Sequence, residues 1–450
     1  MMKWLELLVI INIWMQFSMS LNITEMYVDN LIDHFDPTNN KTYKERIWIC
    51  PDYFDKNKGI ILFDLGGEGP GGMPVNSFET QIAFELNAYM ISAEHRFYGK
   101  SQPFGNFSFE SLQFLSHDQA LADYAVIISD LRDNITKEFN LTYKVPVLVI
   151  GGSYSGALSA WMRMKYPHLI DVAYVSSGVV NSIEDFNMFD GQELIATAKE
   201  DSDCQNLIRW YLNDAKTRWL TNSIEKFKLQ MFYNSPYLEW DDFMFYLSDL
   251  FGEAIQYGSR SLLCLFLKNE SLKASDERHH NLYNFGLKHR VSPLDYSFNF
   301  IRMTESSDSL GSRQWTYQFC SSLGYFNTPF QSNNNLRFSE MDLNYWRRYC
   351  YKSFGKQIFA DCDHTNSLYG DVRISYSINQ LYFTNGLDDP WQWATVRIIN
   401  DTSPVNKALI INCDNCGHCV DLHKGQASDP DVLKDARKSI LSTFKAWLAL

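Results

Sequence analysis

The segment Val145-Pro-Val-Leu-Val-Ile-Gly-Gly-Ser-Tyr-Ser-Gly156 decides the fold. Its first half, Val145 to Ile150, is an apolar run typical of a buried strand, and small residues then lead through a sharp turn into a helical pattern. This geometry lifts the hydroxyl of Ser153 above a sheet, beside backbone N–H groups at a helix N-terminus that stabilise negative charge. The segment therefore predicts a nucleophile elbow. The alternative is a glycine-rich phosphate loop, but Ala157 stands where a P-loop has lysine.

The elbow departs from the strict Gly-x-Ser-x-Gly pattern at one position. Ser155 stands where the pattern has its last glycine, and Gly156 follows it. We expect this serine to be tolerated if its hydroxyl points away from the neighbouring strand.

Apolar runs alternate with helical patterns along much of the chain. Six runs are predicted as buried strands: Gly59 to Leu65, Ala88 to Ala93, Val145 to Ile150, Asp171 to Ser176, Gln380 to Thr384 and Lys407 to Asn412. Apolar residues at three- and four-residue spacing predict helices over Asp118 to Phe139, Ala157 to Tyr166 and Asp431 to Leu450. This alternation predicts an α/β fold with a parallel sheet covered on both faces. Residues 181–375 break the rhythm and are interpreted as a helical insertion.

Composition excludes several classes of protein. Of the 450 residues, 45% are hydrophobic and 21% are charged, with 12 Trp, 25 Tyr and 31 Phe, which excludes a disordered, collagenous or coiled-coil chain. The formal net charge of −13 disfavours nucleic-acid and anionic-membrane partners.

The amino-terminal end predicts export. Lys3, an apolar run from Leu7 to Phe17 and small residues at Ser18 and Ser20 resemble a signal peptide over residues 1–20. An uncleaved anchor is the alternative, but this run is too short to span a bilayer, and no later stretch approaches 18 apolar residues. We therefore expect no stable membrane insertion and a secreted or endosomal/lysosomal location. Seven sequons are predicted to carry glycans, at Asn22, Asn40, Asn106, Asn134, Asn140, Asn269 and Asn400.

The nine cysteines fit an oxidising compartment, although their odd number leaves at least one unpaired within the chain. Cys413, Cys416 and Cys419 form a C-x2-C-x2-C run around His418, and this spacing also suits a metal. A metal bound there would occupy the histidine. We therefore predict no metal, and disulfides from this run to distant cysteines.

A serine nucleophile needs a base and a carboxylate that orients the base. We expect both residues to follow strands that come later in the sequence. Asp388 and Asp389 follow the Gln380 to Thr384 strand, and His418 and His423 follow the Lys407 to Asn412 strand. The spacing of these residues does not show which aspartate or which histidine would act. The chain order Ser, Asp, His is that of α/β hydrolases.

Further motifs accompany these loops: Leu65-Gly-Gly-Glu-Gly-Pro70, Glu94-His-Arg-Phe-Tyr-Gly-Lys-Ser101, Asp118-Gln-Ala-Leu-Ala-Asp123, Trp315-Thr-Tyr-Gln-Phe-Cys320 and Thr365-Asn-Ser-Leu-Tyr-Gly370. Together they resemble the prolyl carboxypeptidase family of serine peptidases, which also contains dipeptidyl peptidase II and thymus-specific serine protease. The similarity runs from about Asp33 to the carboxyl end.

The resemblance implies an α/β-hydrolase fold with an inserted helical cap domain. The expected division is a signal peptide over 1–20, the hydrolase domain over 21–180 and 376–450, and the cap over 181–375. It also implies that Ser153 is the nucleophile, Asp389 the triad acid and His418 the base. The family's typical substrates are peptides cut after proline. Asp388 beside the triad acid and the cysteine cluster beside the base depart from the family pattern.

These assignments predict a serine exopeptidase that acts on a peptide substrate through an acyl-enzyme and needs no cofactor. Backbone N–H groups of Tyr154 and Gly67 would bind the oxyanion, and Trp391 would line the proline pocket. An alternative interpretation of Trp391 is a core residue. An esterase or lipase of the same fold and a catalytically silent binding protein are the alternative functions. The sequence leaves open which end of the peptide is cut and the oligomeric state, for which a homodimer is one option.

Overall fold

The computed structural model describes residues 21–200, 203–305, 311–331, 334–399 and 405–450. Its ten strands are β1 (Thr24–Leu31), β2 (Thr42–Cys50), β3 (Ile61–Leu65), β4 (Tyr89–Ala93), β5 (Val147–Gly152), β6 (Val172–Ser176), β7 (Ile183–Asp185), β8 (Gly324–Phe326), β9 (Leu381–Gly386) and β10 (Lys407–Ile411). Eight of them form one sheet in the order β1-β2-β4-β3-β5-β6-β9-β10. The pairs β1–β2 and β2–β4 are antiparallel, and the remaining neighbours, from β4 to β10, are parallel. A short parallel pair joins β7 and β8.

The α-helices are α1 (Phe78–Glu85), α2 (Phe109–Leu112), α3 (His117–Glu138), α4 (Ser153–Lys165), α5 (Met188–Thr197), α6 (Asp203–Thr221), α7 (Ser223–Phe232), α8 (Trp240–Gln256), α9 (Arg260–Glu270), α10 (Ser275–Lys288), α11 (Phe298–Ile301), α12 (Ser312–Gln318), α13 (Leu343–Phe354), α14 (Cys362–Tyr369), α15 (Ile374–Ser377) and α16 (Asp431–Leu448). None of the helices in the described ranges combines the length and apolar character that crossing a bilayer requires.

The large sheet has a hydrophobic core on each face because its central strands are buried on both sides. Val147 and Val149 of β5 pack with α3 and α4, whereas Leu148 and Ile150 face the opposite core, to which α1 and α16 contribute. All six predicted strands are confirmed, and each end lies within two residues of its predicted position. Five of them, β3, β4, β5, β6 and β9, are almost wholly buried, which explains their continuous apolar sequences, whereas β10 is an edge strand and only partly buried. This layered sheet is the α/β-hydrolase fold.

Most helices between β6 and β9 contribute to a separate core that is rich in aromatic side chains, whereas Tyr369 of α14 packs in the core of the large sheet. Two disulfides, Cys204–Cys264 and Cys320–Cys350, join elements within this region. We call residues 181–375 the cap segment. The predicted signal peptide over residues 1–20 lies outside the described residues.

Strands β1 and β2 were missed by the sequence prediction. Burial varies along these strands because β1 is the edge strand and β2 lies next to it, and several of their buried positions are polar. Glu45 and Arg46, for example, are both buried.

A buried ion pair joins this edge to the rest of the fold. The Arg96 guanidinium donates to both carboxylate oxygens of Asp123 in α3, at 2.5 and 2.8 Å, and to the carbonyl oxygens of Leu31 and Ile32 at the end of β1. Tyr43 of β2 donates its hydroxyl proton to the same carboxylate at 2.9 Å. Arg96 and Asp123 are fully buried, and Arg96 is the permanent cation of Asp123, whose Oδ1 also lies 2.7 Å from His34 Nε2.

We predict that Arg96→Met lowers the free energy of unfolding by about 3–5 kcal/mol, because Asp123 would keep a buried charge without its cation. Denaturant unfolding checks this value. Lys144→Met is the matched control, since Lys144 pairs with Asp171 while remaining exposed, and it should change stability little. An Arg96→Met protein as stable as this control would contradict the prediction.

Candidate active site

The predicted elbow is present at the junction of β5 and α4. Ser153 is the first residue of α4 and has a φ of +58°, a conformation that costs energy for a side-chain-bearing residue. Its glycine neighbours are required by space. A Cβ at Gly151 would lie 2.3 Å from the Ser155 carbonyl oxygen, and one at Gly152 would lie 2.9 Å from Cys419 Sγ. The turn therefore holds Ser153 in a strained position at the carboxyl end of a central strand.

Ser155 folds back onto the turn. Its hydroxyl donates to the Gly152 carbonyl oxygen at 2.8 Å and accepts from the Gly152 N–H at 3.0 Å. The serine therefore reinforces the turn. Gly67, in the loop after β3, packs against this point, since a Cβ built there would lie 3.3 Å from the Ser155 Cβ.

Tyr154 is buried beneath the elbow and fixes the first turn of α4. Its hydroxyl lies 3.1 Å from His95 Nε2 and 2.8 Å from His117 Nδ1. Burial lowers the pKa of His95 to about 4 and that of His117 to about 3, so both imidazoles are neutral and suited to hydrogen bonding with a phenol. These two contacts hold the Tyr154 side chain in place beneath the elbow.

Asp389 and His418 meet after β9 and β10. His418 Nδ1 lies 2.8 Å from Asp389 Oδ2, and Asp389 Oδ1 accepts the backbone N–H of Trp391 at 2.9 Å. Burial lowers the pKa of His418, but the Asp389 carboxylate outweighs it and holds that pKa well above its ordinary value. His418 is 3% exposed, and its Nε2 has no hydrogen-bond partner among the described residues. With Nδ1 donating to the carboxylate, Nε2 is free to accept a proton.

Asp388 and His423, the alternatives to Asp389 and His418, do not take part in this contact. Asp388 binds Lys199 and accepts from Arg260 at 2.6 Å, so its carboxylate is neutralised by two cations. His423 is exposed on the far side of the 3-10 turn Val420–Leu422.

The loop that carries His418 is anchored to α8. The His418 N–H donates to the Gln256 carbonyl oxygen at 2.6 Å, and a Cβ at Gly417 would lie 2.1 Å from the same oxygen. Below the loop, Asp421 accepts hydroxyl protons from Tyr174, from Ser176 at 2.9 Å and from Thr384 at 3.0 Å. His418 is therefore held between the cap segment and the sheet.

The cysteine prediction is partly wrong. Cys413 and Cys416 form a disulfide with each other and not with distant cysteines, because a tight turn after β10 brings them together. Cys419 is a free thiol beside the elbow, where its backbone N–H donates to Ser177 Oγ at 3.0 Å. Gly152 contacts Cys419. Ser153 follows Gly152 and His418 precedes Cys419, so the backbones of Ser153 and His418 lie near each other.

Trp391 lies over His418, with 6.2 Å between the two ring centroids. Its indole Nε1 donates to Gln256 Oε1 at 2.9 Å, and its ring contacts Phe186, Phe189 and Tyr325 of the cap segment. The tryptophan also lines a cavity of about 90 Å³ between α8 and the 3-10 turn Pro390–Ala394. Trp391 therefore packs against the cap segment and also forms part of the aromatic lining of the cavity.

Sequence reasoning missed the cap side of this cavity, including Asp249 and Glu253 on α8. Their four-residue spacing places both on one face of a helix, but the sequence does not reveal which structure that face meets.

The predicted glycosylation sites are all at the surface where they are described. Asn22, Asn40, Asn106, Asn134, Asn140 and Asn269 are exposed, and Asn400 lies outside the described residues.

The comparisons with known proteins agree on one family. The family model described as serine carboxypeptidase S28 matches residues 30–440. The probable serine protease EDA2 of Arabidopsis thaliana is 29% identical over 94% of this chain and 88% of its own length, and human lysosomal Pro-X carboxypeptidase is 29% identical over 95% and 88%. Human thymus-specific serine protease is 28% identical over 94% of this chain and 86% of its own length. The chain therefore belongs to the serine carboxypeptidase S28 family and is a serine-type peptidase.

Proposed function

We propose that this protein is an exopeptidase that cuts peptides after proline, with Ser153 as nucleophile, His418 as general base and Asp389 as the orienting acid. The observation that carries the proposal is the 2.8 Å contact between His418 Nδ1 and Asp389 Oδ2, together with the lack of a hydrogen-bond partner for His418 Nε2 among the described residues. When His418 is deprotonated, the Asp389 carboxylate keeps the remaining proton on Nδ1, and this is the tautomer of the base that a serine hydroxyl requires.

The reaction would follow from these positions. Nε2 of His418 takes the Ser153 hydroxyl proton as Oγ bonds to the scissile carbonyl carbon, and the backbone N–H groups of Tyr154 and Gly67 stabilise the oxyanion. The imidazolium then protonates the leaving amine, the C–N bond breaks and an acyl-enzyme remains. Water attacks this ester with His418 again taking the proton, and the serine is regenerated with release of the acid. The raised pKa of His418 favours the imidazolium in both steps.

Two features support export to the secretory or endosomal/lysosomal system. The pairs Cys204–Cys264 and Cys320–Cys350 are within disulfide distance, and disulfides persist in oxidising compartments. The sequon asparagines within the described ranges are all exposed to modification. We propose that residues 1–20 direct this export and that the cap segment forms the roof of the substrate site. A relative from human carries the name lysosomal Pro-X carboxypeptidase, which agrees with this location and with cleavage beside proline.

We predict that Ser153→Ala lowers kcat roughly 10⁴-fold or more and abolishes labelling by a fluorophosphonate probe, because the variant lacks the attacking oxygen. Ser442→Ala, on the exposed face of α16, is the matched control and should retain labelling. Labelling of Ser153→Ala at the wild-type level would refute the assignment. Comparing the hydrolysis rates of a peptide and of an ester with the same acyl group distinguishes a peptidase from an esterase.

The adjacent carboxylates give a second test. Asp389→Asn should lower kcat by roughly 10⁴-fold, because an amide at this position favours the wrong imidazole tautomer. Asp388→Asn should instead lower the denaturant midpoint and leave kcat within about tenfold of wild type, because it weakens ion pairs to Lys199 and Arg260. Equal loss of kcat in the two variants would contradict this division of roles.

A third test concerns proline. Trp391→Ala should lower kcat/KM for substrates with proline before the cut more than for matched alanine substrates, by about 1–3 kcal/mol in differential transition-state binding. A flat pyrrolidine ring without an N–H suits an aromatic wall. Trp210→Ala, at a partly exposed position on α6, is the control and should leave both values unchanged. Equal losses on both substrates would make Trp391 a structural residue.

A further inference from the structure

Three segments of the chain meet at the hydroxyl group of Tyr154. Tyr154 follows Ser153 at the start of α4, and its side chain is fully buried beneath the elbow. His95 belongs to the loop after β4, and His117 is the first residue of α3. Both imidazole rings are buried, and the proposed reaction uses neither of them. Two buried histidines in contact with the residue after the nucleophile therefore need an explanation.

A fourth segment reaches this meeting point from the cap segment. The π-helical turn Phe319–Leu323 carries Ser322, whose Oγ lies 3.1 Å from His117 Nε2. At the other end, His95 Nδ1 lies 2.7 Å from the Arg96 carbonyl oxygen. The contacts form one continuous hydrogen-bond chain, in the order Ser322, His117, Tyr154, His95 and the Arg96 carbonyl.

The direction of each hydrogen bond follows from the carbonyl end of this chain. A carbonyl oxygen can only accept, so His95 Nδ1 carries a proton and, in the neutral ring, Nε2 does not. His95 Nε2 therefore accepts the Tyr154 hydroxyl proton at 3.1 Å. The Tyr154 oxygen then accepts from His117 Nδ1 at 2.8 Å, which leaves His117 Nε2 to accept from the Ser322 hydroxyl. In this arrangement every ring nitrogen of the two histidines has a complementary partner.

A buried chain of this kind resists displacement of its members. A buried donor or acceptor that loses its partner costs free energy, and hydrogen bonds in series polarise one another. Movement of the Tyr154 ring would break two of these bonds at once. The ring and the backbone N–H of Tyr154 are joined through a single Cα, so the chain also restricts the direction of this N–H, the proposed oxyanion donor.

We propose that the two histidines and Ser322 are positioning residues, which act through the Tyr154 hydroxyl to hold the Tyr154 N–H in line with the oxyanion. The proposal rests on the serine mechanism above and extends it to a residue of the cap segment. Negative charge develops on the carbonyl oxygen only as Ser153 attacks, so a misdirected N–H destabilises the transition state and leaves substrate binding unaffected. The chain therefore contributes to kcat and not to KM.

The test measures the reaction of Ser153 with a fluorophosphonate probe, which requires no knowledge of the peptide that is cut. Ser153 Oγ bonds to phosphorus, His418 takes the hydroxyl proton and fluoride leaves, while negative charge develops on the phosphoryl oxygen. The final extent of labelling counts intact sites, the rate constant kinact reports transition-state stabilisation, and KI reports binding of the probe. A partly unfolded variant loses labelling extent, whereas one with a misdirected N–H labels fully but slowly.

The π-helical turn offers a matched pair of variants. Ser321 and Ser322 are both half-buried, and their hydroxyl oxygens lie 2.7 and 3.0 Å from the carbonyl oxygens four residues before them. Of the two, Ser322 alone reaches His117. Ser322→Ala should label fully, with kinact lowered roughly threefold to tenfold, the size expected from one hydrogen bond, and KI within about twofold of wild type. Ser321→Ala should leave both constants unchanged.

Tyr154→Phe removes the hydroxyl group at the centre of the chain. It should lower kinact roughly 10-fold to 100-fold at an unchanged KI, less than the loss of a whole oxyanion donor. If this variant does not fold, the comparison of Ser322→Ala with Ser321→Ala decides the question. Equal kinact values in those two variants would overturn the proposal, as would a Tyr154→Phe protein that labels at the wild-type rate or one with a raised KI and an unchanged kinact. Each of these results leaves the serine mechanism intact, whereas wild-type enzyme that does not label would refute that mechanism and this proposal with it.

Discussion

The contact between the His418 loop and the carboxyl end of α8 is the constraint on which the site depends. The Gln256 carbonyl oxygen accepts the His418 N–H, and only glycine fits at position 417 because this oxygen approaches so closely. The Gln256 side chain meanwhile accepts from Trp391. One residue of the cap segment thus fixes both the proposed base and the aromatic wall above it. Movement of α8 would displace the base and the cavity together.

A second set of contacts holds the loop after β9, which carries Asp389. Arg260, which begins α9 just after this contact, binds Asp388 and Asp414, and so connects the loops that follow β9 and β10. Lys199 of the cap segment adds a second cation to Asp388. Buried ion pairs of this kind contribute geometry more dependably than net stability. The cap segment therefore serves as part of the scaffold of the site, because it aligns the loops that carry Asp389 and His418.

Much of the sheet and the elbow could be predicted because burial leaves a direct pattern in the sequence. Strands covered on both faces are continuous apolar runs, and the glycines around Ser153 reflect a turn with no room for side chains. The edge strands β1 and β2 lack that pattern, since residues such as Glu45 are buried through hydrogen bonds and not through apolar contact. The pairing of Cys413 with Cys416 depends on the turn after β10, which the sequence does not specify.

The motifs that carried the family resemblance are explained by the structure in physical terms. Glu94 accepts from the Arg46 guanidinium and from the backbone N–H groups of Gly71 and Ser101, while Arg96 pairs with Asp123. These residues hold the loops beside the elbow and do not belong to the Asp389 and His418 pair. Such motifs identify a fold reliably because a buried charge has few acceptable substitutes. The motif from Trp315 to Cys320 differs from these, because Trp315 and Phe319 line the cavity beside Trp391.

The carboxylates around His418 illustrate how environment separates groups of the same chemistry. Asp388 and Asp389 are adjacent, yet Asp388 meets two cations whereas Asp389 meets an imidazole and the Trp391 N–H. The turn at Pro390 directs them apart: Asp389 caps this turn with its own side chain, which leaves Asp388 to face the cap segment. Glu253, without a paired cation among the described residues, has a raised pKa instead. A carboxylate neutralised by cations connects loops, one bonded to histidine orients the imidazole ring, and one that is buried without a cation has a raised pKa. Chemical type alone could not distinguish these roles, because each is set by partners from a different part of the chain.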